Sequence, residues 1–252
     1  MAESLPTVII TCAVLREAIQ KLLADQSTRI IVMDYGLHLT PQKMRAAIQE
    51  QIDGLASPHL VLIGFGLCGN GLVGLKSRNH TLVIPRIDDC VALFFGSRTA
   101  FLREFHADPG TYYLTPGWLE CQGEPRGEHL KCCEKYGPEK AALITDALYG
   151  RYRKACFIAL TPEDLEQYRA QATEVAEFCR ERWGWQYKEA VGSDVFIRRL
   201  LEFARDGISV DARQDPEDFV FIRPGEEVRQ QPFMLQATIQ EESDSCTTYT
   251  IK

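Results

Sequence analysis

Three cysteines stand singly in the N-terminal part of the chain, at positions 12, 68 and 90. A thiolate is both a nucleophile and a soft metal ligand, so three that met would supply most of a zinc or iron–sulfur site. None belongs to a C-x-x-C pair, and long single spacings carry no signature. Cysteine is also among the most buried residue types, so the same residues serve equally as small apolar core groups. Their positions are the informative part. Cys12 follows Thr7–Thr11 (TVIIT), Cys68 follows His59–Phe65 (HLVLIGF), and Cys90 lies a few residues past Thr81–Ile84 (TLVI). Each run reads as a strand. If the strands are parallel, all three thiols fall at the edge where open α/β sheets bind ligands. His38, in Asp34-Tyr-Gly-Leu-His38 after the run Arg29–Met33, is expected as a fourth ligand there, with Asp34, Asp88 and Asp89 adding carboxylates.

Cys68 sits in Gly64-Phe-Gly-Leu-Cys-Gly-Asn-Gly71, which formally satisfies G-x-G-x-x-G after a strand. Only about nine residues separate Gly71 from the next strand, too few for a full dinucleotide-binding helix. The glycines are better read as letting backbone approach a ligand closely. Gly66, Gly69 and Asn70 are therefore expected as substrate contacts, together with Arg86, Asp88 and Asp89. Arg78, Arg86 and Arg98 flank this region and could hold an anion bidentately, although exposed arginines usually serve only as solvated or paired charges. Cys121, His129 and Cys132-Cys133 form a second Cys/His-rich patch. Adjacent cysteines do not easily ligate one tetrahedral ion, so this patch reads as local zinc capacity or as incidental thiols. There is no G-K-[ST], H-E-x-x-H or G-x-S-x-G motif.

The elements that must position these residues follow from periodicity. Val14, Leu15, Ala18, Ile19, Leu22 and Leu23 recur at helical spacing after the first strand. Thr40-Pro41 and Thr161-Pro162 are N-cap and first-turn signals for two further helices, the second running to about Arg182. Ala155–Leu160 and Phe219–Ile222 read as strands, and Glu189–Ala204 as a helix. Continuous apolar runs such as HLVLIGF fit strands buried on both faces. The fold class expected is α/β, a mostly parallel sheet flanked by helices, with an irregular helical insertion at about 96–150. Within it, Thr111–Trp118 concentrates three aromatics around Pro116-Gly117, as a lid over the crevice or as a packed aromatic corner. Residues 5–195 form the expected core. Residues 196–252 add a helix, a strand and a polar tail, loosely ordered after Pro224.

The chain has 252 residues, 45% hydrophobic and 25% charged, and a net charge of −7. Such composition fits a globular protein, and its field repels polyanions, which argues against nucleic acid as a partner. No apolar run approaches the roughly 18 residues of a membrane span, and Met-Ala-Glu-Ser-Leu-Pro does not read as a signal peptide. A cytoplasmic location is expected, with the nine cysteines reduced or metal-bound.

The words ITCAVLREAI, MDYGLHLTP, IGFGLCGNGLVGL, HTLVIPRIDDCVALFFGSR and GTYYLTPGW are similar, as a set, to a family with a domain of unknown function from methanogenic archaea and anaerobic bacteria. The resemblance covers about residues 5–195, and Gly64–Arg98 is its most specific part. Genes of that family tend to lie near corrinoid-dependent methyltransferases, which implies a role close to one-carbon metabolism with a corrinoid protein or methyltransferase as partner. The family hands over no catalytic residue. The leading expectation is thus a zinc or iron–sulfur site ligated by Cys12, Cys68 and Cys90, with His38 or an aspartate completing it, serving methyl transfer or its redox upkeep. Two rivals stand beside it: a metal-free adaptor docking on such a partner, and an enzyme on a small anion anchored by Arg78 or Arg86, with Asp89 as base.

Overall fold

The computed structural model describes residues 5–25, 27–206 and 218–233. β1 (Thr7–Cys12) leads through a 3-10 turn at Ala13–Leu15 into α1 (Arg16–Leu22). β2 (Arg29–Met33) leads through a second such turn, Tyr35–Leu39, into α2 (Pro41–Asp53). β3 (Leu60–Gly64) and β4 (Thr81–Pro85) follow, with turns and no α-helix between them. β1, β2, β3 and β4 are parallel, and with a late strand, β8 (Phe219–Ile222), the sheet order is β2-β1-β3-β4-β8. β8 joins β4 antiparallel. All of β3 is buried, as its unbroken apolar run requires at the centre of a sheet covered on both faces. Fully burying Leu62 or Ile63 contributes about 1.5–3 kcal/mol each before entropy is counted.

Past β4 the chain forms α3 (Arg98–Ala107), β5 (Thr111–Leu114), α4 (Pro116–Glu120), α5 (Pro125–Tyr136) and α6 (Pro138–Tyr149). β6 (Lys154–Ala159), α7 (Pro162–Trp183) and β7 (Gln186–Val191) complete a second parallel sheet, ordered β5-β6-β7. Helices fill most of the stretch expected to be irregular and helical, and β5 within it opens this second sheet. Its core gathers Phe157, Leu165, Val175, Cys179 and Trp185.

α8 (Val195–Asp206) then returns to the first sheet, where Phe196, Ile197 and Leu200 are buried in the same cluster as β3. The helix expected over Glu189–Ala204 thus begins only at Val195. Residues up to Val191 are committed to β6 by a parallel ladder pairing Lys154 with Gln186 through Ala159 with Val191. Beyond Pro224, where loose order was expected, Val228 and Phe233 are each 1% exposed, and Lys76 bridges to Glu227. The polar run Glu241–Thr248, with Cys246, lies outside the described residues. Among the described residues no helix is long and apolar enough to cross a membrane.

α7 starts as its sequence signals: Thr161 Oγ1 accepts from the Asp164 amide at 3.0 Å, Pro162 opens the first turn, and Glu163 and Asp164 face the helix dipole. Thr161→Ala should cost about 1 kcal/mol, read as a fall of roughly 2–4 °C in Tm. No change in Tm would mean that neighbouring groups satisfy the amide without the threonine.

Candidate functional site

The order of the first sheet reverses between β1 and β3, because the chain steps outward from β1 to β2 and then crosses back to β1's other side. Loops leaving such neighbours diverge and open a crevice at the carboxyl ends of the strands. Cys12 ends β1, Cys68 lies in the loop after β3, and Cys90 opens the 3-10 turn Cys90–Phe94 after β4. The parallel pairing brings the three thiols to one edge.

Backbone contacts then draw two of them together. The Leu67 amide donates to the Ile87 carbonyl and the Cys68 amide to the Asp88 carbonyl, both at 2.9 Å. Gly66 permits this approach, since a Cβ there would stand 2.9–3.0 Å from backbone atoms of Asp88 and Asp89. Cys68, Gly69 and Asn70 follow with φ of 44°, 65° and 69°. Glycine adopts such values freely and asparagine tolerates them, whereas for Cys68 they cost about 1 kcal/mol. This strained turn places the Cys68 thiol beside Cys90, where it raises the Cys90 pKa.

Cys12 interacts electrostatically with Cys68, Cys90 and a fourth thiol, Cys121. Cys121 follows α4, which lies so close on the Ala13–Leu15 turn that a Cβ on Gly117 would be 1.9 Å from the Val14 carbonyl oxygen. The sequence groups Cys121 instead with His129 and Cys132-Cys133, as a separate patch. The only local signal was Thr115-Pro116, the same cap and first-turn pair that opens α2 and α7, and nothing in its spacing points at Cys12.

Cys12 and Cys90 are 5% and 6% exposed, while Cys68 and Cys121 are partly exposed. Burial pushes the Cys12 thiol up to about 12. The contact in which Cys90 donates toward Cys68, then burial, raises Cys90, and burial raises Cys121 beside Glu120. Among the described residues, no group of three or more His, Cys, Asp or Glu side chains is arranged to hold a metal ion.

The other expected residues have local tasks. His38 Nδ1 meets the Tyr35 carbonyl, and its ring stands edge-on to Trp118 at 5.3 Å. The aromatic word Thr111–Trp118 is split accordingly, Thr111–Leu114 serving as β5 and Trp118 packing against the β2 loop. Asp34 accepts from the Gly36 amide at 2.8 Å, and Asp89 from the Val91 amide at 2.9 Å. Arg86 donates to the Pro232 carbonyl and Arg98 to that of Phe233, so both strap the C-terminal segment onto the sheet. Arg78 pairs with Asp53 at 2.8 Å, ahead of β4 and away from the crevice. Arg78 is therefore not gathered with Arg86 and Arg98, which lie near each other and near Asp88.

α5 contributes the rim. Lys131 Nζ reaches the Tyr35 hydroxyl, the Gln122 carbonyl at 2.7 Å and Glu128 at 3.3 Å, and lies 4.8 Å from the Tyr35 ring centre. It ties the β2 loop to the turn beside Cys121.

No curated protein and no solved structure matches this chain. The model of the family of proteins of unknown function DUF1638 matches residues 32–201, and the chain belongs to that family.

Proposed function

We propose that Cys12, Cys68, Cys90 and Cys121 close on a zinc ion or an iron–sulfur cluster at the carboxyl edge of the first sheet. The observation that supports this is that four free thiols, from four separate segments, lie toward the crevice where the strand order reverses and feel one another's charge. Four cysteine sulfurs are a donor set that serves both centres. Cation binding would displace the protons that Cys12, Cys90 and Cys121 favour and would offset the mutual repulsion of the thiolates so formed. The partly exposed Cys68 and Cys121 leave an approach for a second molecule. The proposal extends to service in corrinoid-dependent methyl transfer. A thiolate-bound zinc would activate a thiol substrate as its thiolate, and a cluster would pass electrons to a corrinoid protein or methyltransferase partner.

Protein purified without oxygen should contain about one zinc ion, or iron as one cluster, per chain. Serine at any one of the four positions should lower the bound metal roughly tenfold or more, while His38→Ala should leave it in place. Zinc favours thiol activation and iron favours electron delivery. A metal-free wild-type protein that also fails to take up either metal on reconstitution overturns the reading.

A further inference from the structure

α5 and α6 pack side by side around Gly137, and between them lies a nucleophile and base that the thiol cluster does not use. Cys133 Sγ stands 3.5 Å from His129 Nε2, one helical turn earlier. His129 Nδ1 stands 3.1 Å from the hydroxyl of Thr145, a fully buried residue on α6. That hydroxyl donates its single proton to the Ala141 carbonyl at 2.8 Å, so toward His129 it can only accept. Nδ1 therefore carries the ring proton, and the lone pair on Nε2 faces the thiol. Such an arrangement, with the nucleophile touching a base that a third group orients, activates a cysteine.

The groups around the imidazole keep it neutral. Burial lowers its pKa, Arg182 of α7 lowers it further, and Asp146 of α6 opposes them. Arg182 and Asp146 are themselves paired at 2.9 Å. The Phe178 ring of α7 lies 5.3 Å from that of His129. The neighbouring Cys132 is an internal control. It is also partly exposed, but it has Glu128 nearby, and burial raises its pKa.

We propose that Cys133 is a reactive thiol that exchanges with small organic disulfides, with His129 as its base and Thr145 as the residue positioning that base. The Cys133 proton passes to Nε2 as sulfur attacks one sulfur of the disulfide. The S–S bond of that molecule breaks, a mixed disulfide forms on Cys133, and the departing thiolate takes the proton. Cys132 does not resolve the adduct, because consecutive side chains on a helix point about 100° apart. The adduct therefore persists until an external thiol removes it.

The test follows release of thiopyridone from 4,4′-dithiodipyridine by the intact protein, with peptide mass mapping to assign each site. Cys133 should react about tenfold or more faster than Cys132. In the wild type the Cys133 rate should fall as pH drops through a break below the about 6.5 of free imidazole. In His129→Gln the rate should fall about tenfold and track a plain thiol near about 8.5. Thr145→Val, which keeps the buried shape, should shift the profile in the same direction by less. Equal rates at Cys132 and Cys133, or an unchanged profile in His129→Gln with folding confirmed, would overturn the proposal.

Discussion

An alanine at Gly117 is expected to cost about 3 kcal/mol of folding stability and to lower Tm by roughly 6–12 °C. The added carbon would sit 1.9 Å from the Val14 carbonyl oxygen and 2.6 Å from its carbonyl carbon. Both are backbone atoms of the turn that leaves β1, so no side-chain rotation relieves the clash. α4 must lift away, and Cys121 with it. Because Gly117 is buried, no solvent space lies alongside to accept the displaced turn. Urea unfolding measures the cost, and a loss under about 1 kcal/mol would mean that α4 slides without consequence.

Gly66→Ala should be smaller in energy, about 2 kcal/mol, and larger in effect on the crevice. Its new carbon meets the backbone of Asp88 and Asp89, so the loops after β3 and β4 separate. The Leu67-to-Ile87 and Cys68-to-Asp88 hydrogen bonds lengthen, and Cys68 leaves Cys90. A trivalent arsenical, which bridges two thiols in contact with loss of water, reads this directly. Wild-type protein should yield a bridged Cys68–Cys90 peptide pair, and Gly66→Ala should yield little. Equal bridging in folded variant and wild type would detach Gly66 from the pairing of the two loops.

The first sheet was legible because its strands are runs that only a doubly covered sheet accommodates, such as Leu60–Gly64, all of it buried. β7 was not legible. Gln186–Val191 (QYKEAV) mixes helix formers with polar residues, and it becomes a strand only because β6 offers an edge to pair with. β5 has four residues hemmed by Pro109-Gly110 and Pro116-Gly117, too short for alternation to register. The shared edge of Cys12, Cys68 and Cys90 could be read from parallel strands alone. Cys121 could not, since its place depends on the contact of Gly117 with Val14, which is set by tertiary packing. Arg86 was read as an anion anchor because its strapping role depends on Pro232, far along the chain.

β8 covers the edge of β4 by setting Phe219 opposite Pro85. The second sheet is translated between those two strands. At ribosomal speeds of about 5–20 residues per second, the β4 edge stays bare for on the order of ten seconds after it is made. An open edge is a template for a strand from another chain, and distant pairings of this kind also form slowly. The nascent polypeptide, rather than the finished protein, is therefore the form most exposed to misassembly.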